Sequence, residues 1–120
     1  MNAINITEKF SKFSQHWTPK IIAECNGQLV KLAKVNGDFL WHKHENEDEM
    51  FIVFKGTFIL EFRDKTVELN EGEMIVVPKG VEHKPGTINK EAHVMVIEPK
   101  STYHTGNVKN ERTVENQEWI

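Results

Sequence analysis

Two imidazoles and a carboxylate stand close together in the stretch Trp41-His42-Lys43-His44-Glu45-Asn46-Glu47-Asp48-Glu49. Successive side chains of an extended strand alternate faces, so His42 and His44 point the same way. Glu49 lies an odd step beyond His44, which a straight strand would send to the opposite face. The polar run Glu45-Asn46-Glu47-Asp48 reads as a turn, and after a turn the alternation starts afresh. Glu49, as the first residue of the next strand, can then return to the two histidines. Neutral imidazole with carboxylate suits a divalent transition ion such as Fe, Mn, Ni or Zn, whereas Ca or Mg would ask for oxygen ligands alone.

A third imidazole is placed by turn chemistry. A strand from Gly72 to Pro78, followed by the tight turn Pro78-Lys79-Gly80, delivers His83 to the start of a further strand. Three histidines and one glutamate leave positions open on a six-coordinate ion, which is the arrangement of a catalytic site and not of a closed structural one. Asp48 is the rival carboxylate to Glu49; otherwise Glu45, Glu47 and Asp48 read as a solvated turn. His16, His93 and His104 lie outside both stretches and read as surface or satisfied structural histidines, with His93 alone able to reach a cavity mouth.

The elements that must position these groups are short and β-rich. The runs are 20–25, 28–35, 38–44, 49–55, 57–63, 66–69, 73–78 and 92–98, punctuated by Gly or Asn. Asn-Gly occurs twice between such runs, at Asn26-Gly27 and Asn36-Gly37, and is a strong hairpin signal. Short strands at this spacing predict an all-β sandwich or barrel. Before them, Thr7 as a cap and Ile6, Phe10, Phe13 and Trp17 at near-helical spacing predict one short amphipathic helix that docks on the domain body or on a second subunit. After Lys100 the alternation is lost, and residues 100–120 read as a polar tail on the surface with Trp119-Ile120 docked on something apolar. By alternation, Leu40, Phe51 and Val53 line a cavity with the ligands, joined by Phe58, Leu60 and Phe62, while Phe39 and Trp41 face outward.

At 120 residues the chain has the length of one domain. Its 38% hydrophobic and 28% charged residues are those of an ordinary globular protein and exclude a disordered one. A net charge of −3, with lysines scattered among acids, offers no basic stripe for nucleic acid. No apolar run is long enough to cross a membrane as a helix. One cysteine, Cys25, rules out an intrachain disulfide and reads as a small half-buried hydrophobe; without a secretory signal, the expected location is the cytoplasm.

The two stretches together resemble the paired motifs of the cupin family. The first motif is Gly, five residues, His-x-His, three or four residues, Glu, six residues, Gly, and it is met by His42, His44, Glu49 and Gly56, with Gly37 one residue nearer to His42 than the pattern asks. The second is Gly, five residues, Pro-x-Gly, two residues, His, three residues, Asn, and it is met by Gly72, Pro78, Gly80 and His83, with Thr87 in the place of Asn. The resemblance spans roughly residues 30–98. It implies a single jelly-roll barrel over residues 20–99, preceded by a helix and arm (1–19) and followed by the tail (100–120). It also implies that His42, His44, Glu49 and His83 hold one divalent transition metal ion inside the barrel. The function expected is that of a metal-dependent enzyme, of oxygenase or isomerase type, acting on a small organic molecule with Glu49 as a catalytic proton carrier. The alternative is a non-catalytic module that binds or senses a metal or small ligand. Neither arginine, Arg63 or Arg112, adjoins a motif, which argues against a phosphorylated substrate. Outward aromatics and an exposed sheet edge favour a homodimer.

Overall fold

A computed structural model describes residues 1–110 and 112–120. The chain is built almost entirely of β-strands: β1 (Lys20–Cys25), β2 (Gln28–Val35), β3 (Glu49–Lys55), β4 (Phe58–Phe62), β5 (Thr66–Leu69), β6 (Met74–Val77), β7 (His83–Thr87), β8 (Ala92–Pro99) and β9 (Glu118–Trp119). They form a six-stranded sheet in the order β6-β3-β8-β2-β1-β9 and a three-stranded sheet in the order β5-β4-β7. All pairs are antiparallel except β1 with β9. One helix, α1 (Ile6–Phe10), precedes them, and its cap is Asn5, whose side chain accepts the Glu8 N–H at 2.9 Å; Thr7, the expected cap, lies inside the helix.

Alternation along β2 and β8 explains how one sheet is covered on both sides. Ala33, Val35, Val94 and Val96 face inward and meet Phe51, Val53, Phe58 and Leu60 in the core between the sheets. Leu32 and Met95, of the opposite parity, face outward and are covered by Phe10, Phe13 and Ile22, with Ile6 and Ile120 at the margin. Phe10 and Phe13 of the N-terminal aromatic stripe therefore seal the outer face of the chain's own sheet, Trp17 packs against the inner core, and Ile120 docks on the outer face while Trp119 stays exposed.

Several expectations need correction. The Asn26-Gly27 turn joins β1 to β2 as a hairpin, with both residues at positive φ (51° and 78°), the condition of the tight turn that matches strand twist. Asn36-Gly37 makes no hairpin: it carries the chain from β2 across to the other sheet, where residues 38–42 run beside β7. This segment is not a strand but two isolated bridges, Asp38 with Gly86 and His42 with His83. Pro85 has no N–H to give, so the ladder slips there by one residue, three residues opposing two. The slip reverses the alternation, and Phe39 turns inward to be 6% exposed instead of facing outward. Likewise, Pro85-Gly86 lies within β7 and does not separate strands, a place open to proline because Pro85 faces the irregular 38–42 segment and not the ladder with β4. Cys25, expected half-buried, is exposed.

Candidate metal centre

The four residues singled out by their spacing converge. His42, His44, Glu49 and His83 are all buried, and each offers one ligand atom within 4.8 Å of the others. Glu49 opens β3 on the inward parity it shares with Phe51 and Val53. His83 opens β7, and its backbone exchanges two hydrogen bonds with that of His42 (3.0 and 2.9 Å), which sets these rings side by side with centroids 4.4 Å apart. His44 is held by the turn after β6, where Gly80 N donates to the His44 carbonyl at 2.7 Å. Asp48 is excluded as a ligand, because it is exposed and its Oδ1 accepts from Lys79 N at 2.9 Å.

Backbone carbonyls select the tautomers. His42 Nδ1 donates to the Leu40 carbonyl and His83 Nδ1 to the Val81 carbonyl, both at 2.9 Å, so each Nε2 presents a lone pair to the centre. Glu49 Oε1 lies 3.2 Å from His44 Nε2 and 3.3 Å from His83 Nε2. A lone pair facing a carboxylate oxygen is repulsive unless a proton or a cation lies between them. His83 Nε2 is buried without a well-directed hydrogen bond. Two atoms that each bind one ion at about 2.1 Å and a right angle are separated by about 3.0 Å, close to the spacing found. Donor chemistry and geometry therefore fit a divalent transition ion.

Electrostatics point the same way. Burial, reinforced by the neighbouring His83, lowers His42 from its usual range to about 4, so this ring is neutral and ready to bind near neutral pH. Burial alone would push Glu49 up, yet the polar groups around it, those of Glu98, His44 and His83, hold it well below the usual carboxylate range.

Sequence reasoning missed two groups. Glu98 on β8 is 1% exposed, and its Oε1 receives Lys31 Nζ at 2.8 Å. The pairing of Met50 with Ile97 places Glu98 directly opposite Glu49. Burial and the charge of Glu49 push Glu98 well above the usual carboxylate range, against the pull of Lys31. Inward parity with Val94 and Val96 was the signal that would have found it. His104 is the other, read as an outlying histidine but 9% exposed and lining the cavity with His42, Glu49 and Glu98. No periodicity marks it, since it sits in the tail.

Around these groups the cavity, about 40 Å³, is walled by Phe39, Phe51, Phe58, Val94 and Val96 and edged by Trp17 and Pro85. Phe51 and Phe58 line it as expected, but Val53 and Leu60 pack in the core and Leu40 lies outside the lining, its place taken by Phe39. His93 does not reach the cavity; it stacks on Phe10 at 4.9 Å. Arg112 does come near, with its guanidinium 4.3 Å from the Phe39 ring and 5.7 Å from that of Trp17. The tail is thus a wall of the site, with Thr102, His104 and Thr105 buried. Gly37 and Thr87, the two departures from the motifs, answer each other: Gly37 N donates to Thr87 Oγ1 at 2.8 Å and tethers the ligand segment to β7.

Fold and site define a two-sheet β-protein with a buried three-histidine, one-glutamate cluster, and comparison places it within one family. The family model described as "Cupin domain" matches residues 28–98, and the chain belongs to that family. It is similar to an uncharacterized Bacillus subtilis protein, YdbB, with 34% identity over 106 residues, covering 80% of this chain and 88% of that one. Among solved structures, a cupin-2 domain containing protein from Shewanella frigidimarina shares 52% identity and a TM-score of 0.79, covering 81% of this chain and 94% of that one. Protein NMB1881 from Neisseria meningitidis shares 31% identity and a TM-score of 0.74, covering 82% and 100%.

Proposed function

We propose that this chain is a metal-dependent enzyme, of oxygenase or isomerase type, that acts on a small organic molecule inside a jelly-roll barrel. One observation carries the reading: four buried groups of transition-metal type converge within 4.8 Å, with two imidazole nitrogens turned on one carboxylate oxygen. His42, His44, Glu49 and His83 would hold one divalent ion of Fe, Mn, Ni or Zn, which supplies Lewis acidity or redox chemistry when bound. The chain's own residues supply the rest. Phe39, Phe51 and Phe58 exclude water and strengthen every polar interaction inside the cavity. Glu49 is the group assigned to take and return a proton, with Glu98 opposite it in the register of β3 and β8 and Lys31 paired with Glu98.

A second reading, a non-catalytic module that binds or senses a metal or small ligand, is favoured by the small cavity and its cover of Trp17, His104 and Arg112. Elemental analysis of protein purified without oxygen, followed by turnover assays with the metal found, separates the two. Stoichiometric metal with turnover supports the enzyme; stoichiometric metal with ligand binding and no turnover supports the module; protein that takes up no metal and gains no thermal stability from Mn, Fe, Ni or Zn overturns both.

In the same reading the protein works as a homodimer. β6 ends the six-stranded sheet with an unpaired edge, and Met74 and Val76 are exposed on it at 52% and 46%. Sedimentation of the wild type and of a Val76→Lys variant tests this. No helix is long and apolar enough to cross a membrane, and the lone exposed Cys25 suits a reducing compartment such as the cytoplasm. The scattered charge suits a small-molecule partner rather than nucleic acid or a membrane surface.

A further inference from the structure

The tail is fastened to the metal cluster itself. Asn107 N donates to the Lys43 carbonyl at 2.9 Å, and Lys43 N donates to Asn107 Oδ1 at 3.0 Å, which ties the tail between the two ligands His42 and His44. Gly106 lies so close that a Cβ there would stand 2.7 Å from His42 Cδ2. Thr105, fully buried, shares a hydrogen bond with Thr113 at 2.6 Å and closes the loop behind it. These contacts fix the chain beside His104, which lines the cavity without belonging to any strand.

His104 Nδ1 accepts the Val114 N–H at 3.4 Å and the Arg112 backbone also bonds to the ring, which leaves Nε2 as the second ring nitrogen. That Nε2 is buried and has no partner among the described residues. A buried ring nitrogen without a partner is costly, and native proteins keep such groups where a ligand answers them. Three charges act on the ring, those of Lys31, Glu49 and Arg112, and two of them are positive. The cavity has room for about three water-sized groups, the size of a carboxylate head.

We propose that His104 is a ligand-binding residue of this site, whose Nε2–H donates a hydrogen bond to an oxygen of a small carboxylate anion held against the metal centre. The assignment rests on the metal-binding reading above, and the test keeps the two apart. Full-length wild type, His104→Phe and His104→Gln are loaded with Co(II), their cobalt content is measured, and each is titrated with acetate while the visible cobalt absorption is followed. All three should hold one equivalent of cobalt. The acetate dissociation constant should rise about tenfold in His104→Phe, which keeps the ring and loses the donor, and recover to within about threefold in His104→Gln, whose amide supplies an N–H in nearly the same place.

Equal acetate affinity in cobalt-loaded wild type and His104→Phe overturns the role of His104 and leaves the metal reading intact, as does a wild type that holds cobalt and ignores acetate. A wild type that holds no cobalt overturns both. Should His104→Phe not fold, the Nε2–H resonance of histidine-labelled, zinc-loaded wild type, assigned by its loss in His104→Gln, decides instead. Acetate must shift it, and an unmoved resonance overturns the proposal.

Discussion

Replacing His104 by glutamine should flatten the acid side of the stability profile of the metal-free protein. Burial, with the nearby cations Lys31 and Arg112 adding to it, lowers this imidazole from 6.5 to about 4, so the folded ring resists a proton that the unfolded chain accepts. The sign follows from which state binds more protons. Between those two values it is the unfolded state, so wild-type stability falls as pH falls, with nothing lost above 6.5 and the full loss present below 4. Evaluated over the window, the loss is about 2 kcal/mol between pH 7 and pH 5 and approaches about 3.4 kcal/mol below pH 4. Glutamine cannot titrate, and the acids and histidines common to both proteins cancel on subtraction. Urea unfolding of chelator-treated wild type and His104→Gln at pH 7, 6 and 5, read at constant m-value, measures the difference directly. His104→Gln should gain on the wild type by about 2 kcal/mol over that range; a difference flat within about 0.5 kcal/mol would refute a buried, neutral His104.

His44→Ala removes a ligand but no part of the apolar core, so metal content by elemental analysis should drop, with affinity weakened at least about a hundredfold, while the circular dichroism spectrum is kept. An unfolded variant would show that the ion is structural. At Gly106, where φ is 60° and a Cβ would lie 2.4 Å from the Lys43 carbonyl oxygen, alanine should destabilise the tail by about 1–3 kcal/mol and speed protease cleavage between residues 100 and 110; unchanged cleavage would contradict the packing described. Lys31→Met strips the cation from buried Glu98 and should cost about 3–5 kcal/mol in chemical denaturation, most of it recovered when Glu98→Leu is added. A double variant no more stable than Lys31→Met would mean the pair is not the source of the cost.

The alternation of Glu49, Phe51 and Val53, the apolar face of Phe58 and Leu60, and the Asn26-Gly27 hairpin were legible in the chain because each depends on neighbours within a few residues. So was the convergence of His42, His44, Glu49 and His83, since the turns at 45–48 and 78–80 are local chemistry that restarts the alternation at Glu49 and His83. Phe39 was not, because its direction is decided by a missing N–H at Pro85, far along the chain, which slips the ladder by a residue. Nor was β7, whose proline and glycine resemble a turn until β4 is seen beside them.

By itself, then, the sequence determined the β-rich architecture and the four groups fit to bind a metal, because strand parity and turn residues act at short range. Only the tertiary structure decided what surrounds them. It set Glu98 opposite Glu49 through the register of β3 and β8, and it turned an aperiodic tail into the wall that carries His104. Those placements come from contacts between residues dozens of positions apart, and such contacts leave no periodic trace in the chain that makes them.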